Sequence, residues 1–302
     1  MKAVWLCLLL CCSACVGQSG INTFLTPADS LHTSRRNGVI ISQAVLATAT
    51  YTALSNLWYN DYPKSDFHII KDGGEWLQMD KAGHAFSSYS LSRMSGELYE
   101  WSGMSRNNKI IFGTATGFVF ISAIEIFDGY SSKWGASMSD IGANAAGSLL
   151  YAGQELLWDD QRILMKFSFH TTPYPSARPE VLGSTISEQI VKDYNGQTYW
   201  LSVNLNSFLK TKSVPNWLNV AFGYGAEGMT TGEEFPPANS VFFEQKKRIR
   251  QFYFSLDADL TRIKTKSHVL KTVFSAVNTI KIPFPTLEVN GNGKACFRGL
   301  YF

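Results

Sequence analysis

Seven polar residues interrupt otherwise apolar stretches at spacings that suit a single site: Asp80, Lys81 and His84, then Glu125 and Asp128, then Asp140 and Asn144, with Gly147 three residues on. On helices, Asp80 and His84 are one turn apart, as are Glu125 and Asp128, and Asp140 and Asn144, so each pair shares a face. Three such faces brought together would offer one imidazole, four carboxylates, an ammonium and an amide. One His with several carboxylates suits a hard or borderline divalent cation, Mg, Mn or Zn, which would activate water on a phosphate or acyl bond. Without a metal, His84 paired to Asp80 or Asp140 could serve as a general base, the carboxylate fixing its tautomer. His84, Asp80, Glu125 and Asp140 are therefore the candidate catalytic residues, and Lys81, Asp128 and Asn144 the candidate binding residues.

A structural account of the same residues is also open. Asp80 and Asp140 each stand just before an apolar run, where helix N-caps sit, and His84 could be a hydrogen-bonded core histidine. The cluster would then fix helix register, as polar seam residues do in coiled coils.

The positioning elements read as follows. Segment 39–58, rich in Ala and Thr, predicts a first helix; 80–94 a second; 109–127 a third and the most apolar; 140–158 a fourth, whose Gly142, Ala143, Ala145, Ala146, Gly147 and Ser148 permit close approach. Four helices with short links predict a four-helix bundle over 38–160. A spanning helix wants about 20 largely apolar residues, and only the third approaches this, ending in Glu125 and Asp128. The bundle is expected at or partly in a membrane, with soluble periplasmic packing as the rival.

From about residue 161 the period changes to alternation, which predicts a β-rich C-terminal domain over 161–302 and an α+β fold class. Phe252, Phe254, Leu256, Ala258 and Leu260 alternate with Gln251, Tyr253, Ser255, Asp257 and Asp259, the pattern of a strand with one wet face. Segments 199–205 and 218–224 repeat it, 162–170 and 297–302 are weaker, and helices are expected near 180–194 and 267–278. The terminal Phe302 resembles that of outer-membrane barrels, but five or six strands are fewer than the eight such barrels need. A sheet covered on one side by helices is the preferred arrangement.

The 302 residues carry a formal net charge of +3, with 45% hydrophobic and 14% aromatic residues, ample for a packed core. There is no long basic run and nothing that points to nucleic acid. Met1-Lys2 followed by a short apolar run predicts a signal peptide over 1–17, and Ser13-Ala14-Cys15 has the ending of a lipoprotein signal, with Cys15 the lipidated residue; cleavage after Gly17 is the competing route. Segment 18–37 reads as a polar tether. Four of the five cysteines lie at or before residue 15, so Cys296 has no partner for a disulfide framework.

Over about residues 75–155, the motif Asp80-Lys81 with His84, then Glu125, then Asp140 with Asn144 and Gly147, resembles the YfiM-type predicted periplasmic lipoproteins and, more distantly, the VanZ-like membrane proteins. VanZ-like chains carry Gln three residues after the acid, where this chain has Asp128. The resemblance implies an exported, membrane-anchored envelope protein, with the outer membrane favoured and an origin in Bacteroidetes. It leaves the chemistry open. The leading expectation is a non-enzymatic scaffold or binding protein that meets a lipid surface or an envelope partner. The alternative is a hydrolase of phosphate or acyl esters, although the chain has no nucleophile elbow, paired-histidine zinc signature or Gly-rich phosphate loop.

Overall fold

A computed structural model describes residues 20–60, 62–232 and 247–302; the expected signal peptide and Cys15 lie outside them. The fold is mixed α+β, with an antiparallel sheet in the C-terminal region. The four long N-terminal helices are α1 (Thr33–Leu54, continued by a π-turn at Ser55–Tyr59), α2 (Met79–Trp101), α3 (Arg106–Gly129) and α4 (Met138–Trp158).

Helices α2, α3 and α4 pack tightly on one another because small residues line their contacts. Gly117 of α3 sits against Ser88 and Ser92 of α2, and a side chain at Gly147 of α4 would overlap the Ala85 carbonyl. Tyr89, Ile110, Tyr151 and Ala152 form the core between them. The four-helix bundle expected from the sequence is a three-helix core with α1 at its flank. Only Val39 of α1 is buried, whereas Ile41, Val45 and Leu46 are over 60% exposed. It is tied on by polar contacts: Gln43 donates to Ser95 Oγ (2.7 Å), Tyr99 donates to Gln43 (2.9 Å), and Tyr51 donates to the Phe120 carbonyl (2.8 Å). Where a polar tether is expected, residues 20–24 form a helical turn and Phe24 packs edge-on against Trp101, 5.1 Å between ring centres.

Two short strands, β1 (Ile69–Ile70) and β2 (Ala136–Ser137), pair in parallel between the end of α3 and the start of α4. The larger sheet is an antiparallel meander in sequence order: β3 (Ile163–Phe169), β4 (Gln197–Asn204), β5 (Leu218–Glu227), β6 (Ile249–Ala258), β7 (Phe284–Asn290) and β8 (Ala295–Tyr301). It curls strongly. Tyr301 at the end of β8 stacks on Tyr253 of β6 (4.7 Å) and its hydroxyl lies 3.1 Å from Thr198 Oγ1 of β4. Phe167 of β3 pairs with the segment leading into β7 through bonds to Thr279 and Lys281.

The two faces of this sheet are reversed from expectation. The polar face lies inside the curl and the apolar face points out: Ser255 and Asp257 are buried, while Phe252, Phe254 and Leu256 are 40–50% exposed. The reversal is stable because the enclosed polar groups satisfy one another. Lys166 and Asp257, both fully buried, pair at 2.8 Å; Asp257 also accepts from Ser202 (2.6 Å), and Asn219 donates to Ser202 (2.9 Å). Helix α2 covers part of the outer face, where Phe86 meets Phe167 and Tyr199 and Met79 packs against Tyr199 of β4 and Ala226 of β5.

Candidate functional site

The seven residues singled out by spacing do converge. Asp80, His84, Glu125, Asp128 and Asp140 line one pocket of about 330 Å³, with Tyr59, Asp72, Trp76, Trp134, Tyr194 and Tyr199 completing much of its wall; Lys81 and Asn144 bond directly to this set. The side chains of His84 and Asp80 keep 15% and 22% exposure, so solvent reaches both.

Neither Asp80 nor Asp140 caps a helix. Ser137 is the N-cap of α4 and accepts from the Asp140 amide at 3.1 Å, which puts Asp140 in the first turn; Gln78 precedes α2, which puts Asp80 in its first turn. Both carboxylates thus sit where the helix dipole favours negative charge. The turn into α2 is strained: Trp76, Leu77 and Gln78 have φ of 48°, 51° and 65°, a conformation non-glycine residues avoid. Residues of the sheet and of the segment after β5 hold it there. Tyr224 donates to the Leu77 carbonyl, Arg250 donates to Gln78 (2.8 Å), and the Trp76 amide donates to the Gly232 carbonyl (2.9 Å). Strain of this kind persists only where the surroundings enforce it, and here it delivers Asp80, Lys81 and His84 to the pocket.

His84 is oriented through Nδ1, which lies 3.0 Å from Asn144 Oδ1; the amide is set by its Nδ2 donating to Ser122 Oγ at 3.2 Å. A carbonyl partner places a proton on Nδ1 and turns Nε2 toward the carboxylates of the pocket. Nε2 faces Glu125 Oε1 at 3.7 Å and Asp80 Oδ1 at 3.8 Å. Glu125 Oε2 accepts from the Ser137 amide (2.8 Å), but the buried Oε1 has no hydrogen-bond partner. Asp140 Oδ2 accepts from Lys81 at 3.1 Å; its buried Oδ1 forms an ion pair with the same ammonium at 2.9 Å and accepts no hydrogen bond.

Lys81 is the hub of the other side, bonding Asp72, Asp80 (3.0 Å) and Asp140. Asp72 is further held by Ser137 (2.6 Å) and Ser139 (2.9 Å). Asp80 Oδ1 accepts from Tyr194 (2.7 Å) and Asp128 Oδ1 from Tyr59 (2.6 Å). Five carboxylates therefore surround one lysine and one imidazole. The excess charge appears in their acidities. Burial pushes Glu125 up to about 7, only partly offset by the Ser137 amide and His84. Burial likewise raises Asp128 and Asp140 to about 6. For His84 burial opposes the charged form, but Asp80, Asp140 and Glu125 outweigh it and raise its pKa. Burial also opposes ionisation of Asp72, yet the hydrogen bonds from Lys81, Ser137 and Ser139 carry it down to about 2.

One ligand atom from each of Asp80, His84 and Asp140 lies within 4.8 Å of the others, a set that a divalent cation with bonds of roughly 2.1–2.4 Å can span. A metal-binding histidine whose other nitrogen is tied to a carbonyl is the usual supporting arrangement. Asp128 lines the pocket but is outside this set. Sequence spacing missed Asp72, Tyr59 and Tyr194, which the fold brings in from a turn, the end of α1 and the sheet region.

The predicted periplasmic lipoprotein family (DUF2279) matches residues 70–152. This span carries the strained turn and all seven residues. The match supports an exported, periplasmic, membrane-anchored protein of the envelope, and covers about a quarter of the chain. No curated protein and no solved structure matches.

Proposed function

We propose that this envelope protein binds a divalent cation on Asp80, His84 and Asp140, with Glu125 beside them as proton acceptor, and hydrolyses a phosphate or acyl ester at that site. The observation that carries the reading is the buried Glu125 Oε1, which accepts no hydrogen bond and faces His84 Nε2 at 3.7 Å in the pocket that Asp80 and Asp140 also line. Leaving a buried carboxylate oxygen unpaired costs on the order of 1–3 kcal/mol, a cost an external cation or substrate would remove. When bound, a divalent cation lowers the pKa of water and polarises a phosphoryl or acyl oxygen. The chain's own part is to hold proton acceptors there. Glu125, with a pKa near neutrality, is matched to taking a proton from the attacking water. Asn144 keeps His84 in one tautomer, and Tyr194 and Lys81 hold Asp80 and Asp140 in place.

A scaffold role has its own support in Lys81, whose ammonium already bonds three of the five carboxylates. In that reading the lysine is the only cation the cluster needs. The likeness to YfiM-type and VanZ-like proteins and an outer-membrane location fit either reading. Metal content and binding of wild type against His84→Ala and Asp140→Asn separates them, with folding followed by circular dichroism and activity by phosphate and acyl ester screens. Stoichiometric metal lost in both folded variants supports the site. Metal-free wild type, with both variants destabilised, makes the cluster structural.

A further inference from the structure

The outer face of the meander carries more exposed apolar surface than a soluble protein tolerates, arranged in rows. Leu201, Phe222, Phe254, Leu287 and Phe297 lie directly opposite one another across five strands, each 42–70% exposed. A second row runs Tyr224, Phe252, Val289 and Ala295, and a third Val203, Val220 and Leu256. Phe222 and Phe254 touch, 5.4 Å between ring centres, so the rows form one patch. The eight large side chains of these rows that are 39–70% exposed, four of them phenylalanines, amount to roughly 700 Å², above the 300–600 Å² of the largest patch on a typical monomer.

We propose that this face enters a lipid leaflet. The charge pattern selects lipid over protein: the three rows hold no charged side chain and only one hydroxyl, that of Tyr224, whereas a protein interface is about 40% polar and supplies a hydrogen bond every 100–200 Å². The inside-out distribution, polar within and apolar without, is what strands facing hydrocarbon adopt. Depth decides how far the face inserts. From Phe252 to Leu256 the band rises about 14 Å at 3.4 Å per residue, half of the roughly 30 Å hydrocarbon core, so it enters one leaflet and does not span. Its ends are marked by residues suited to headgroups: Arg250, which donates to the Tyr224 hydroxyl (3.2 Å), at one and Trp217, 40% exposed, at the other. Helix α5 (His268–Val277) adds a second apolar surface, with Leu270, Val273 and Val277 on one exposed face.

The test is flotation of the full chain carrying Cys15→Ser, so that no lipid anchor contributes, with phosphatidylethanolamine–phosphatidylglycerol vesicles in high salt. Most of the protein should float, and the triple variant Phe222→Ser, Phe254→Ser, Phe297→Ser should float at least tenfold less with its circular dichroism unchanged, since all three side chains point away from the sheet interior. In a separate Phe254→Trp variant, lipids brominated at mid-chain should quench the new fluorophore. Protein that stays at the bottom, or floats equally well as the triple variant, overturns the proposal. So does a lipid-free dimer that the triple variant dissociates, which would make a second copy the occupant.

Discussion

The helical pocket and the interior of the curled sheet both bury charge, and they treat it in opposite ways. Inside the sheet every valence is filled: Lys166 bonds Asp257, the Ala258 carbonyl and Asn278, and Asp257 meets Ser202, Lys281 and the Ile282 amide. Among the described residues no unpartnered buried side-chain atom lies in the sheet, whereas two of the three found are carboxylate oxygens of the pocket. A closed network stabilises only itself. An open one holds free energy in reserve for something that binds, which is the physical distinction between a polar core and a site.

Removing a member of the closed network should therefore have the largest effect. Asp257→Ala strands two buried lysines, Lys166 and Lys281, and should cost about 3–5 kcal/mol in urea unfolding. Lys281, pushed down to about 8 by burial despite Asp257, would keep only the Leu256 and Ile282 carbonyls and the Trp200 ring, and no counter-charge. A loss under 1 kcal/mol would erase the contrast.

The opposite sign is expected in the pocket. Without divalent cation at pH 8, Glu125→Gln removes a buried charge whose Oε1 has no donor and retains an acceptor for the Ser137 amide. It should stabilise the fold by on the order of 1–2 kcal/mol while weakening cation binding at least tenfold. Thermal melts in chelator and titration calorimetry read the two effects separately. Destabilisation comparable to that of Asp257→Ala would make the pocket a second closed network.

The pocket was largely legible in the sequence, because its ligands repeat at one-turn spacings on single helices and helical phase is local. Asp72 and Tyr194 were not, since nothing local marks a turn aspartate or a tyrosine over a hundred residues away as partners of Lys81 and Asp80. Nor did alternation reveal which face of the sheet is wet. Period 2 separates two sets of side chains, but only the curl, closed by Tyr301 over Thr198 and Tyr253, decides that Ser255 and Asp257 go inside. Strand β7 escaped notice because Pro283 and Pro285 argue against a central strand. The first helix was read correctly as a helix; it lies at the flank of the three-helix core with most of its apolar residues turned outward.

Acidity gives a smaller and more graded test. Glu125, Asp128 and Asp140 keep protons in the fold that the unfolded chain releases near pH 4, so the folded state binds more protons between about pH 4 and 7. Their contribution to stability falls as pH rises through that window. His84, with its pKa raised, acts in the same direction, full below its unfolded pKa and lost above the folded one. Asp72 acts only lower, losing its contribution as pH falls from about 4 toward 2. In chelator the melting temperature should drop between pH 5 and 8, and a saturating divalent cation should flatten the slope. A profile identical with and without cation would remove the distinction between the regions at its root.

The finest probe is Tyr194→Phe, which takes one hydroxyl from the wall where the sheet region meets the helices. Tyr194 is half-buried and donates to Asp80 Oδ1, the oxygen nearest His84 Nε2. Its loss should cost about 0.5–1.5 kcal/mol of stability, and Asp80, freed of that donor, should relax toward Lys81 and lower cation affinity severalfold without abolishing it. The same substitution at Tyr59 frees Asp128, which lies outside the three-ligand set, and should leave affinity unchanged. Equal effects from the two tyrosines would mean that the pocket responds to overall charge, and that Asp80, His84 and Asp140 are not its ligands.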